Sequence, residues 1–261
     1  MTSPMSSAQN VIVSPMFNAA DADVTFRSSD GVLFHVHRTN LEVCTEGFPP
    51  AEISTAGEIV DLPESSTTLE LLFQYMYPRR HPALDTTPFE ILAPLAEAAE
   101  KYQVFPAMNI CHIRMRDMIP KHPTAVMVYA AKHDYPYLVS EVAPDMISVS
   151  PVEVIKLLPP YLVLPWIQYV QEWVRVLQTT ALALPSQNLN YHPNYNSCSK
   201  WAQTAALCLS RLGAGVHTLR ALDDVFDGQR SVDSCCKNDW QLWRKRIEDE
   251  VARIPKFSSF L

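Results

Sequence analysis

The chain has 261 residues, a formal net charge of −7, and 21 Pro against only 6 Gly. That length allows one large or two modest domains, and so few glycines exclude the clustered-glycine loops that cradle phosphates and dinucleotides. The acidic balance weighs against nucleic acid as a direct partner, because phosphate binding rests on Lys and Arg.

Residues 1–20 are rich in Ser, Pro, Ala and Asn and read as a disordered segment, in which only 10–13 has the character of an edge strand. The segment lacks the basic start and apolar core of a signal peptide. The six cysteines are therefore expected to be free thiols in a reducing, cytoplasmic or nuclear compartment. The most apolar window, 157–167, is broken by Pro159, Pro160 and Pro165 and is too short to span a membrane.

Residues 21–41 carry the strongest pattern in the chain. Val24 and Phe26, then Val32, Phe34 and Val36, alternate with polar residues as half-buried strands do. Ser29-Asp30-Gly31 between them predicts a tight turn, with Gly31 free to take a positive φ. The second strand runs into His37-Arg38 and a helix over 38–44. Asp23 and Arg38 are expected to meet as a partly buried ion pair, each offsetting the other's charge. His35 and His37 would face the same way on a strand, as metal ligands can, but no acidic or cysteine partner stands at useful spacing. His35 is read as solvent-facing and His37 as the helix start.

Gly47 and Pro49-Pro50 then stop regular structure, and a third strand is expected over 58–62. Ser65-Ser66-Thr67 caps a helix on which Leu69, Leu72, Phe73 and Met76 recur at three- and four-residue spacing. Arg79-Arg80-His81 beyond it reads as a solvated loop. Thr86-Thr87-Pro88 starts a helix reaching Tyr102, and another covers 105–118. A domain boundary is expected near residue 120. Beyond it, helices are predicted over 125–133, 135–147, 152–158, 162–183, 199–212, 216–226 and 239–254, with polar loops at 185–197 and 227–233. Residues 99–104 are echoed at 130–135, which suggests one helix–turn–helix shape used twice.

Cys198, Cys208, His217, Cys235 and Cys236 gather in the last quarter, but without the short-spaced pairs of a structural zinc site. They read as thiols packed between helices. Gly-x-Ser-x-Gly, phosphate-loop and His-Glu-x-x-His motifs are missing from the sequence, so no catalytic residue, cofactor or metal is assigned.

Residues 20–118 resemble a BTB/POZ domain. The resemblance lies in Asp23-Val24, Phe34 and Val36-His37-Arg38-Thr39-Asn40-Leu41, then in 69–77 ending at Tyr77, and in the alanine-rich helix ending at Lys101-Tyr102. The arrangement is also similar to BTB proteins common in filamentous and mushroom-forming fungi. It implies an α+β BTB/POZ-like domain over 21–119, a short three-stranded sheet flanked by helices, followed by an all-helical region over 120–261. Residues 122–147 would be the BACK-like start of that region.

The resemblance further implies a non-enzymatic protein–protein interaction module with protein partners, such as a substrate adaptor for a cullin-type ubiquitin ligase, able to form a homodimer. A transcription-associated oligomerisation protein is the alternative, and a zinc protein or enzyme using the carboxy-terminal cysteines is a third reading. Asp23, His37, Arg38, Leu69, Phe73 and Tyr77 would form the binding site. Two departures stand out. Gly47 and Pro49-Pro50 occupy the place of a helix that helps form the family's homodimer face, and the loop after Tyr77 lacks the apolar-x-Glu signature that favours cullin binding there.

Overall fold

The computed structural model describes residues 12–45, 58–184, 199–227 and 236–261. The fold is α+β, and the chain divides after His122 into two compact units.

Unit 1 is built on the hairpin of β1 (Val24–Arg27) and β2 (Val32–Val36), paired antiparallel with Phe26 opposite Phe34. Alternation sends Val24, Phe26, Phe34 and Val36 into the core. On the other face Thr25 Oγ1 and His35 Nδ1 lie 3.0 Å apart, so His35 is half-buried rather than directed into solvent. Gly31 holds the turn at φ 85°. Helix α1 (Arg38–Cys44) follows directly. Strand β3 (Ile59–Asp61) pairs parallel with β1, fastened by two hydrogen bonds from the Arg27 guanidinium to the Asp61 carboxylate. The Gly47–Pro50 stretch lies outside the described residues.

The sheet has a fourth strand. Residues expected to be disordered form β4 (Ile12–Asn18), the amino-terminal edge, which pairs parallel with β2. The strand pays for its irregular sequence with a register shift between Val13 and Asn18, where Pro15 supplies no amide donor. Ser14 is buried there, and its hydroxyl oxygen accepts the N–H groups of Met16 and Phe17. Phe17 is thereby turned into the core, 5.6 Å from Phe73 and 6.1 Å from Phe34 between ring centroids. Burying that ring is the physical reason the segment is ordered. The run Ser14-Pro15-Met16 has no period-two pattern, so the sequence conceals it.

Helix α2 (Ser66–Gln74) lies against the sheet, α3 (Phe89–Lys101) against α2, and α4 (Phe105–Asp117) against α3. Ser65 caps α2 by accepting the Thr68 amide. Asp30 of the hairpin turn accepts both the amide and hydroxyl of Ser66, at 2.8 and 2.6 Å, which ties turn to helix.

All regular structure among the described residues of unit 2 is helical. It comprises α5 (Pro123–Lys132), α6 (Pro136–Met146), α7 (Pro151–Leu157), α8 (Pro160–Val176), α9 (Ser199–Leu212), α10 (Leu222–Val225) and α11 (Lys237–Ala252). Proline opens α5, α6, α7 and α8, where its missing N–H would be unpaired in any case. Two expectations are corrected. Helix α8 stops at Val176 and continues as a π-helical turn, Leu177–Ala181, whose end is satisfied by Trp243 Nε1 donating to the Ala181 carbonyl and Arg246 donating to those of Thr180 and Ala183. The single helix expected over 216–226 is instead a 3-10 turn, Val216–Arg220, and α10. The Thr218 hydroxyl donates to the Gly215 carbonyl at 2.6 Å, a local bond that competes with helix propagation.

The internal echo corresponds to one turn made twice. Gln103 and Asp134, 31 residues apart in sequence, both sit in the left-handed region, at φ 51° and 56°. The next amides reach back to equivalent carbonyls, Val104 to Ala99 at 2.9 Å and Tyr135 to Ala130 at 2.8 Å. These are the closing bonds of a Schellman turn, so α3–α4 and α5–α6 are equivalent hairpins.

Candidate functional site

Four residues singled out in the sequence, Asp23, His37, Arg38 and Tyr77, meet at the end of the hairpin in unit 1. His37 leaves β2 in extended conformation and becomes the amino-terminal cap residue of α1. Its amide donates to the Tyr77 hydroxyl at 3.0 Å, and its Nδ1 lies 3.1 Å from the same oxygen. Its Nε2 lies 3.3 Å from the Asp21 carboxylate. The contacts are mutually consistent when Tyr77 O–H donates to Nδ1 and Nε2–H donates to Asp21. The hydrogen bond from His37 holds the Asp21 carboxyl below its usual range.

Asp23 acts differently from the expectation. It is exposed, and its carboxylate accepts the backbone N–H of Arg38 at 2.8 Å, a cap supplied to the first residue of α1. The contact found from Asp23 to Arg38 thus runs to the main chain, at the surface where water screens it.

Leu69 and Phe73 are corrected more sharply. Both are fully buried. They are four residues apart on the face of α2 turned to the sheet, where Phe73 sits 5.5 Å from Phe26 and 5.5 Å from Phe34. They form the floor beneath the site and offer no surface to a partner. Helix α2 also ends at Gln74, so Tyr77 stands in the following turn, half-exposed.

Two contributors were missed in the sequence. Asp21 stands beside the motif residue Asp23 with no signal of its own, and Arg79 belongs to a run that reads as solvated. The Arg79 guanidinium lies 5.1 Å above the Phe17 ring and 5.3 Å above the Tyr77 ring, a double cation–π contact. Phe17 and Tyr77 are themselves 5.5 Å apart, edge to face. The usable signal was a cation two residues from an aromatic at a helix exit; its second ring, 62 residues away, was not visible locally.

The face therefore presents two carboxylates and a guanidinium on an aromatic base, with donors and acceptors held in fixed directions. Among the described residues no three His, Cys, Asp or Glu side chains are grouped to hold a metal ion. Cys198 and Cys235 lie outside the described residues. Burial pushes the thiols of Cys111 and Cys208 up to about 12, so both are protonated at neutral pH. No helix among the described residues is long and apolar enough to cross a membrane. No protein-family model matches the chain, and no curated protein matches it.

Proposed function

We propose that unit 1 is a BTB/POZ-like docking domain and that the chain works as a non-enzymatic protein-interaction protein. One observation carries this reading. The pieces of sequence behind the resemblance, Asp23, His37-Arg38 and Tyr77, are distant along the chain and are joined by hydrogen bonds on one face. A partner polypeptide would lie on Asp21, Asp23, Tyr77 and Arg79, with Leu69 and Phe73 holding the platform from below. Within this reading the partner is a cullin-type ligase scaffold and the chain recruits substrates to it.

Calorimetric titration of the full chain with a purified cullin amino-terminal domain tests the adaptor role. The wild-type chain is expected to bind with a Kd of order ~1 μM, and Arg79→Glu to bind at least ~10-fold more weakly. Arg79 is exposed, so this variant should fold. No measurable heat with the wild-type chain overturns the adaptor reading.

A further inference from the structure

The hairpin of α5 and α6 ends at a small cavity of about 180 Å³ in unit 2. Asp134, Tyr135, Tyr161 and Pro165 line it, and the buried Val139 and Leu162 form its floor. Its two rings are held in place. Tyr161 is 59% exposed, yet its hydroxyl donates to the Ala131 carbonyl at 3.2 Å. Tyr135 stacks on Tyr129, with ring centroids 5.7 Å apart and planes at 26°. Asp134 is the one charged side chain among the described lining residues, and it is exposed. Two tyrosine rings and an exposed carboxylate line the slot, a set of groups that can receive a cation.

The equivalent hairpin in unit 1 shows that the turn does not require these groups. There the left-handed position is Gln103, which is uncharged, and the next residue is Val104, which is fully buried. The same backbone in unit 2 carries a carboxylate and a half-exposed ring instead.

We propose that this cavity binds the side chain of a lysine or arginine from a partner polypeptide. The cation would rest against Tyr135 and Tyr161 and pair with Asp134, while its aliphatic stem lies along Pro165 and Leu162. Leu164, 63% exposed and three residues from Tyr161 on α8, offers an apolar seat to a neighbouring residue of the same peptide. The charge complementarity selects a basic residue over an apolar one. The proposal rests on the reading of the chain as an interaction protein, but its test needs no partner protein and is independent of unit 1.

The ring resonances of Tyr135 and Tyr161 are followed in the full chain during titration with N-acetyl-arginine methylamide, and separately with the uncharged N-acetyl-norleucine methylamide. The arginine probe is expected to give saturable shifts with a Kd of order ~1 mM, weakened about 10-fold in Asp134→Asn. Asp134→Gly keeps the left-handed turn while removing the carboxylate, and it is expected to weaken binding equally without loss of fold. No saturable shift, equal affinity for the norleucine probe, or undiminished binding by both variants would each overturn the proposal.

Discussion

The hairpins α3–α4 and α5–α6 turn through the same hydrogen bonds, yet one is sealed and the other open. After the left-handed residue, unit 1 places Val104 in the core, whereas unit 2 leaves Tyr135 half-exposed at a cavity. The turn is thus encoded locally, in a few residues that repeat along the chain. What the turn is used for depends on two side chains and on the layer packed beneath them.

The largest effect is expected in the aromatic core of unit 1. Phe73→Ala removes the ring around which Phe17, Phe26 and Phe34 pack, and should destabilise unit 1 by about 3–5 kcal/mol. Urea unfolding followed by circular dichroism measures it, and a loss below ~1 kcal/mol would mean the aromatic cluster is not the core of unit 1.

The two hairpins can then be set against each other. Val104→Ala should cost about 1–3 kcal/mol because its methyls are buried, whereas Tyr135→Ala should cost only about 1 kcal/mol, chiefly its stacking on Tyr129. Equal costs would erase the distinction between a sealed and an open turn.

Unit 1 has a further tie with a pH signature. Hydrogen bonds from Ser28 and Ser66 hold the Asp30 carboxyl down to about 2. The folded value lies below the ~3.9 of an unfolded Asp, so this stabilisation is complete above that pH and is lost as pH falls towards 2. Asp30→Ala should cost about 1 kcal/mol at neutral pH, and the gap from wild type should narrow on acidification. A gap that stays constant down to pH ~2 would mean that Asp30 does not carry the tie.

The smallest effects lie in the turns themselves. Gln103→Gly should stabilise by about 0.5–1 kcal/mol, because glutamine is strained at positive φ; Asp134→Gly should gain less, since aspartate tolerates that region better. Thermal unfolding of both variants checks the order, and a destabilised Gln103→Gly would count against strain at that residue.

The parts legible in the sequence were those with a local cause. The β1–β2 hairpin followed from alternation and Gly31, and the paired helices from three- and four-residue spacing bounded by Pro. Strand β4 was legible only in the edge-strand character of 10–13, and its continuation to Asn18 was not, because that part depends on burying Phe17 against Phe73, 56 positions away. The helix expected over 216–226 is interrupted at Ala221, whose backbone at φ −120° and ψ 43° leaves the helical region. At the site, His37 and Tyr77 were legible as a motif, but their hydrogen bonds across 40 residues were not. Periodicity placed Leu69 and Phe73 on one face without telling whether that face met a partner or the protein's own sheet.

In the proposed docking role, unit 1 engages its partner through Asp21, Asp23, Tyr77 and Arg79. Proximity labelling in the source cell tests it most directly, comparing the wild-type chain with Arg79→Glu at matched abundance. Labelled cullin subunits are expected with the wild-type chain, and their loss with the variant. An unchanged set of labelled proteins in the two cases would contradict it.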